Sequence, residues 1–464
     1  MSDLTAVLDR ADANLPSSLE TLFALLRIPS ISTDPAHAAD CRKAAQYLTD
    51  HLATLGFAAS VRDTQGHPMV VAHHPGANET CPHVLFYAHY DVQPVDPLNL
   101  WTSDPFDPVL REGVNGAQII AARGAADDKG QLMTFLAALR AFKETNDCLP
   151  LRVTVLFEGE EETGSPSARP FLTANSAELA ADFALVCDTG MWDPETPSIC
   201  AGLRGLVTEE IVVTAADRDL HSGGFGGVAA NPIHVLADIL AGLHDATGAV
   251  TLPGFYDGVD ETPDDIRGVW RALEVGKNRM LSDVGLRIPS GERGRSVLEL
   301  LWARPTAEVN GIAGGYAGHG FKTVIPSTAS AKVSFRLVGH QDPDKIRESF
   351  RLYAASRLPA DCQLSFTSHG SSPAVQLPYD SPVLQIAKHA LSEEWPNQAV
   401  VTGGGGSIPI VGDFQSILGI DSLLVGFSLA DDRGHSPNEK YNLTSFHKGI
   451  RSWVRILAAL GAEG

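Results

Sequence analysis

Five polar segments of this chain carry the residue types that bind cations and move protons. His89-Tyr90-Asp91 follows the apolar run 84–88. In an extended segment positions i and i+2 face one side, so His89 can take a metal while Asp91 takes another ligand or holds the same imidazole. Arg123-Gly124-Ala125-Ala126-Asp127-Asp128-Lys129-Gly130 precedes an amphipathic stripe. Its paired aspartates either favour the N-terminal dipole of a helix or bridge two cations. Glu158-Gly159-Glu160-Glu161-Glu162-Thr163-Gly164 follows the run 151–157. Carboxylates packed at a strand end repel one another unless cations sit among them. One of these glutamates can bind a metal while a neighbour serves as general base toward an activated water. Asp188 follows the run 183–187, and Arg433-Gly434-His435-Ser436-Pro437-Asn438-Glu439 follows the run 423–427 after a short loop. Each segment alone is weak evidence; their shared position after apolar runs is the signal. An oxygen-rich set with some imidazole (His89, Asp127, Glu161 or Glu162, Asp188 and His435) suits Zn²⁺, Mn²⁺ or Co²⁺. The long separations between these residues match no local zinc module, so the fold must assemble the site.

Each segment needs an element to hold it. The four runs are continuously apolar, the pattern of strands covered on both faces in a mostly parallel sheet. Between the first two, Leu132, Phe135, Leu136, Leu139 and Phe142 form one helical stripe. Leu19, Leu22, Phe23 and Leu26 form another. This alternation predicts a doubly wound α/β sheet, in which ligands gather beyond the carboxyl ends of the strands. The middle of the chain differs. Ile211-Val212-Val213 reads as a strand, and Asn231-Pro232 opens a helix with Asn at the cap and Pro at the first position. A strand near 307–316, an alternating strand through Ala331, Val333, Phe335 and Leu337, a helix over 343–356 and a strand over 362–367 follow. The order β-α-β-β-α-β is that of a split βαβ, ferredoxin-like α+β domain, with residues 251–305 as an insertion within it. We expect an α/β catalytic domain built from residues 1–202 and 372–464, with a helix around 383–391, and an inserted α+β domain over residues 203–371.

The 464 residues are too many for one ordinary core, which agrees with two domains. The net charge of −21 argues against a nucleic-acid partner, because such a surface repels phosphate. Asp3 and Asp9 with no apolar run at the start argue against a signal peptide, and no run reaches the length of a membrane helix. Six cysteines without a CxxC pair read as reduced thiols, which points to the cytoplasm.

The ordered set His89-Tyr90-Asp91-Val92-Gln93-Pro94, Arg123-Gly124-Ala125-Ala126-Asp127-Asp128-Lys129-Gly130, Glu160-Glu161-Glu162-Thr163-Gly164-Ser165 and Arg433-Gly434-His435-Ser436 resembles the carnosinase and cytosolic non-specific dipeptidase branch of the aminoacylase-like di-zinc peptidases, over nearly the whole chain. The resemblance implies a site. His89 and Asp188 bind one metal each and Asp127 bridges the pair. Glu162 and His435 complete the second metal. Asp91 orients His89, and Glu161 is general base and then acid. Arg218-Asp219-Leu220-His221-Ser222-Gly223 resembles the family segment whose His steadies the oxyanion, often across a dimer. Lys322-Thr323-Val324-Ile325-Pro326 and Arg336 resemble the segments that grip the substrate carboxylate, a task suited to a guanidinium fork. Gly406-Ser407-Ile408-Pro409 resembles a loop whose backbone meets that carboxylate, although Gly403-Gly404-Gly405 stands where relatives commonly carry charges. The implied enzyme is a cytoplasmic, homodimeric hydrolase of dipeptides or small peptides. It holds two divalent metals (zinc first, then manganese or cobalt) and an inserted lid and dimerisation domain that closes over the substrate. A deacylase or desuccinylase of N-acyl amino acids, or a carboxypeptidase, on the same metal pair is the rival; it takes a small acylated amino acid. No nucleic-acid or membrane partner is implied.

Overall fold

A computed structural model describes residues 4–114, 116–274, 279–406 and 408–462. The chain divides into two compact units: Met1–Ala201 with Leu377–Thr402 and Pro409–Gly464, and Gly202–Gln376 with Gly403–Ile408.

The first unit opens with helices α1 (Leu4–Leu26) and α2 (Ala38–Thr54), then strands β1 (Ala58–Arg62), β2 (Met69–His74) and β3 (His83–His89). Helix α3 (Lys129–Asn146), β4 (Arg152–Glu158), β5 (Phe183–Val186) and β6 (Ser198–Leu203) follow. The second unit holds β7 (Gly205–Thr214), α4 (Pro232–Ala241), β8 (Thr306–Gly314), β9 (Thr328–Leu337), α5 (Pro343–Ser356) and β10 (Gln363–Ser372). The chain returns to the first unit with α6 (Pro382–Glu394), β11 (Ser422–Leu424) and α7 (Leu443–Ala462).

The main sheet runs β1-β2-β4-β3-β5-β11-β6. Its centre, β4-β3-β5-β11, is parallel, and these four strands are the four apolar runs. They read as unbroken apolar sequence because both faces are covered. Phe86 of β3 stacks on Phe135 of α3 at 3.5 Å between ring centroids, and Trp453 of α7 meets both rings edge-on. Tyr87, next along β3, meets Phe414 at 5.8 Å instead. The flanking strands β1, β2 and β6 pair antiparallel, so the sheet is mixed at its margins. The last apolar run, 423–427, is strand only to Leu424. At Gly426 a Cβ would collide with the carbonyls of Cys187 and Thr189, so the backbone passes there too closely to continue a ladder.

The second unit is a four-stranded antiparallel sheet in the order β8-β9-β7-β10. Its chain order β-α-β-β-α-β is the split βαβ arrangement. Val333, Phe335 and Leu337 of β9 are buried with Leu236 and Ile239 of α4 and with Ile346 and Phe350 of α5 in one core cluster. The Asn231 side chain accepts from Ile233 N to cap α4, and Asp342 caps α5 in the same way. The insertion after α4 carries short helices at Asp264–Glu274 and Val297–Trp302, the latter opened by a Ser296–Glu299 capping box.

Candidate metal centre

The parallel strands of the first unit all deliver their carboxyl ends to one place. His89 is the last residue of β3, Glu158 ends β4, and Asp188 lies two residues past β5. The turn before α3 supplies Asp127. This turn is tight: Gly130 has no room for a Cβ, which would meet the Ala125 carbonyl. Past β11, the loop before α7 supplies His435 in the left-handed backbone region, with φ 63°. Such a conformation costs on the order of 1 kcal/mol in a non-glycine residue and is typical of functional sites.

Six of the residues singled out above form two groups of three donors, each group within 4.8 Å: His89, Glu161 and Asp188 in one, Asp127, Glu162 and His435 in the other. Asp127 stands between them. Its Oδ1 lies 3.1 Å from His89 Nε2 and its Oδ2 lies 3.0 Å from His435 Nε2. His435 Nε2 is 3.1 Å from Glu162 Oε2, and His89 Nε2 is 4.0 Å from Asp188 Oδ2. Two ligands at about 2.0 Å from one tetrahedral ion stand roughly 3.3 Å apart. The spacings are those of ligands around divalent cations, and the donor set fits a pair of them.

Asp91 organises the approach. His89 Nδ1 is 3.1 Å from Asp91 O and 3.3 Å from Asp91 Oδ1, so Nδ1 carries the proton and Nε2 presents its lone pair. The same carboxylate accepts from the backbone N–H of Glu161 at 3.2 Å and of Glu162 at 3.0 Å. Asp91 thus joins the β3 loop to the glutamate run. That run separates by side-chain direction. Glu158 accepts from the Tyr87 hydroxyl at 2.7 Å and Glu160 accepts from His67 N at 2.9 Å, both away from the two groups. Gln93 Nε2 donates to Glu162 at 2.7 Å. Among the described residues no donor is directed at the Glu161 carboxylate. Asp128 also faces away: its carboxylate accepts from His89 N and from Gln131 Nε2, both at 3.2 Å.

Charge shows what the cluster lacks. Burial, with repulsion from Glu162 and Asp91 outweighing the His89 charge, pushes Glu161 up to about 7. Burial and repulsion from Asp127 and Glu161 bring Asp188 up to about 7. Hydrogen bonds that His435 donates to Asp127 and Glu162 carry it up to about 10. The mutual repulsion of these carboxylates favours a proton or a cation among them.

The remaining expected residues lie in the second unit. His221 is exposed, and its Nδ1 accepts from Gly223 N at 3.0 Å, which leaves Nε2 as an outward donor. The pair Leu220–His221 forms a two-residue ladder with Val324–Ile325, and Ser222 N donates to Thr323 O at 3.0 Å, so His221 and Thr323 are neighbours. Arg336 lines a cavity of about 1070 Å³ within this unit, together with Arg204 and Ser334. Ser407 lies outside the described residues. Sequence reasoning gave no role to Gln93, Arg123 or Glu439. All three belong to segments that it singled out, but their partners are remote in the chain.

Comparisons place this geometry among known proteins. The Cys-Gly metallodipeptidase DUG1 of Saccharomyces cerevisiae is 27% identical over 98% of this chain and 97% of its own. The Beta-Ala-His dipeptidase of Homo sapiens is 28% identical over 83% of this chain and 76% of its own. The solved structure of the metallo-carboxypeptidase Sso-CP2 from Sulfolobus solfataricus superposes with a TM-score of 0.79 at 31% identity, covering 96% of this chain and 99% of that one. Residues 85–459 match the model of peptidase family M20/M25/M40, and the chain belongs to that family.

Proposed function

We propose that this chain hydrolyses the peptide bond of dipeptides at a pair of divalent cations, zinc in the first place and manganese or cobalt as alternatives. One observation carries the reading: of two three-donor groups, one contains Asp127, whose Oδ2 faces the imidazole of its own group, His435, and whose Oδ1 faces that of the other, His89. We assign His89 and Asp188 to one ion, Glu162 and His435 to the other, and Asp127 to both. Bound there, two divalent ions acidify the attacking water and polarise the amide carbonyl.

Glu161 is the general base in this assignment. Its carboxylate is half-buried and free of donors among the described residues, so its oxygens are open to accept a proton. It takes the proton of the attacking water and returns it to the leaving amine. Asp91 keeps the His89 tautomer. We assign the oxyanion to His221, whose Nε2 is left to donate. The substrate carboxylate goes to Arg336, with Thr323 and Ser407 beside it in the role that the family resemblance implies. We also assign residues 203–371 to a dimerisation domain. The edge strand β8 with exposed Val309 and Ile312, and Phe321 beyond it, supports that assignment. Among the described residues no helix is long and apolar enough to cross a membrane. All six cysteines are free, which supports a reducing, cytoplasmic setting.

The test is amine release from matched free and N-acetylated dipeptides by zinc- or manganese-loaded protein, with a chelated control. Chelator-sensitive cleavage of the free dipeptides alone is the expected result. Cleavage confined to the acylated substrates would move the activity to a deacylase.

A further inference from the structure

A second carboxylate lies beneath the metal centre, and neither the donor groups nor the proton-transfer scheme uses it. Glu439 is fully buried, four residues beyond His435. Its Oε1 accepts from Ala126 N at 2.9 Å and from Asp127 N at 3.1 Å. Its Oε2 accepts from Gly124 N at 2.9 Å and from Arg123 Nη1 at 2.7 Å. One side chain therefore fastens the turn 124–127 to the loop that carries His435. Arg123 extends the link: buried like Glu439, it donates through Nη2 to Pro94 O at 2.9 Å and lies over the Trp101 ring at 5.3 Å. Three loops meet on this ion pair, and each carries one of the metal-donor residues: His89, Asp127 and His435.

A buried ion pair adds little net stability over an apolar pair of the same volume. Its geometry here does something an apolar pair cannot. The backbone N–H of Asp127 is held by Glu439, and His435 is tethered to the same residue through a four-residue span. Asp127 Oδ2 and His435 Nε2 stand 3.0 Å apart above this tie. Residues that orient metal ligands through one hydrogen bond change metal affinity by about 10–100-fold when altered.

We propose that Glu439, braced by Arg123, is a positioning residue that sets the affinity of the Asp127, Glu162 and His435 group for its cation. The proposal rests on the two-metal reading above. In Glu439→Gln the amide cannot accept on both sides: one of its faces becomes a donor against either Arg123 and Gly124 N or Ala126 N and Asp127 N. Arg123→Lys keeps the positive charge and loses the fork that spans Glu439 and Pro94.

The experiment is a competition titration of metal-free protein with zinc against a chromophoric chelator. It is run on wild type, Glu439→Gln and Arg123→Lys, with circular dichroism to establish that each is folded. Wild type is expected to show two zinc ions per chain. Glu439→Gln is expected to lose about 10–100-fold in affinity at one site, with the other within a few-fold of wild type. Arg123→Lys is expected to lose less, at the same site. In a His435→Ala background, where that site is already lost, Glu439→Gln is expected to change zinc binding at the remaining site, which shares Asp127, by no more than a few-fold. Two ions at wild-type affinities in both variants would overturn the proposal, and so would equal weakening of both sites. If Glu439→Gln does not fold, Arg123→Lys decides by the same readout. Wild type that binds fewer than two ions would instead overturn the two-metal reading itself.

Discussion

Two carboxylate clusters of the first unit meet the cost of leaving water in opposite ways. Glu394, at the end of α6, sits among cations from α7: Arg451 Nε at 2.8 Å, Arg455 Nε at 2.9 Å and Lys448 Nζ at 3.3 Å. Burial alone would raise its pKa, but the bonds from Arg451 and Arg455 hold it below the ordinary value. At the strand ends, Asp127, Glu161, Glu162 and Asp188 are grouped with two imidazoles, Gln93 donates to Glu162, and burial pushes Glu161 and Asp188 up to about 7. A carboxylate matched by guanidinium is complete as folded and carries no chemistry. Carboxylates matched by each other are incomplete, and the missing charge has to come from outside the chain. The contrast separates a structural ion cluster from a functional one without reference to any relative.

The comparison can be broken most sharply at Glu161. Glu161→Gln is expected to lower turnover by about 10²–10⁴-fold while retaining two metal ions, as read by steady-state kinetics and elemental analysis of the same sample. Loss of an ion together with activity would make Glu161 a ligand beside His89 and Asp188, a grouping that the geometry also allows. Removal of one donor comes next. His435→Ala is expected to halve the bound metal and to lose activity that added zinc does not restore, whereas chelated wild type recovers on zinc addition.

The opposite perturbation belongs to the other cluster. Glu394→Ala removes the carboxylate that three cations share, although Arg451 keeps Asp12 and Arg455 keeps Glu393. It is expected to destabilise the protein by about 3 kcal/mol, measured as a shift in the urea midpoint, with the metal content unchanged. A change in metal content would show that the two regions are coupled.

The smallest effect is in the pH dependence. Groups whose folded pKa is raised contribute stability at low pH that is lost as pH rises through the folded value. In metal-free protein Glu161 and Asp188 lose theirs between the ordinary carboxylate range and about 7, and His435 loses its own between its ordinary value and about 10. Cations displace those protons. The gain in melting temperature on adding zinc is therefore expected to grow from pH 5 to pH 7. Groups outside the cluster, such as His51 with its pKa lowered to about 4 by burial, titrate alike with and without metal and cancel from the difference. A gain that shrinks over this interval would contradict the assignment of these residues as donors.

Much of the fold was legible because burial writes itself into sequence. The parallel strands read as unbroken apolar runs since helices cover both faces, and α4 announced itself through Asn231-Pro232. The antiparallel strand β1 did not, because a short, partly exposed strand carries no comparable pattern; β2 and β6 are mostly buried, and their short apolar stretches were not recognised. The small sheet of Val109–Glu112, Gln118–Ala121 and Lys440–Asn442 was equally silent, since its strands come from opposite ends of the chain.

The sequence by itself determined which residue types are available at the strand ends, and in what order: an imidazole, an aspartate pair, a glutamate run, an aspartate, an imidazole. Those follow from composition at positions that apolar periodicity marks. The family motif already pointed to Asp127 over Asp128 and to Glu161 and Glu162; the tertiary structure adds the directions in which Asp128, Glu158 and Glu160 turn away, and the tie from Glu439 to Asp127 and the His435 loop. Each of these is a matter of side-chain direction and of hydrogen bonds between residues as many as 316 positions apart, and no local pattern encodes either.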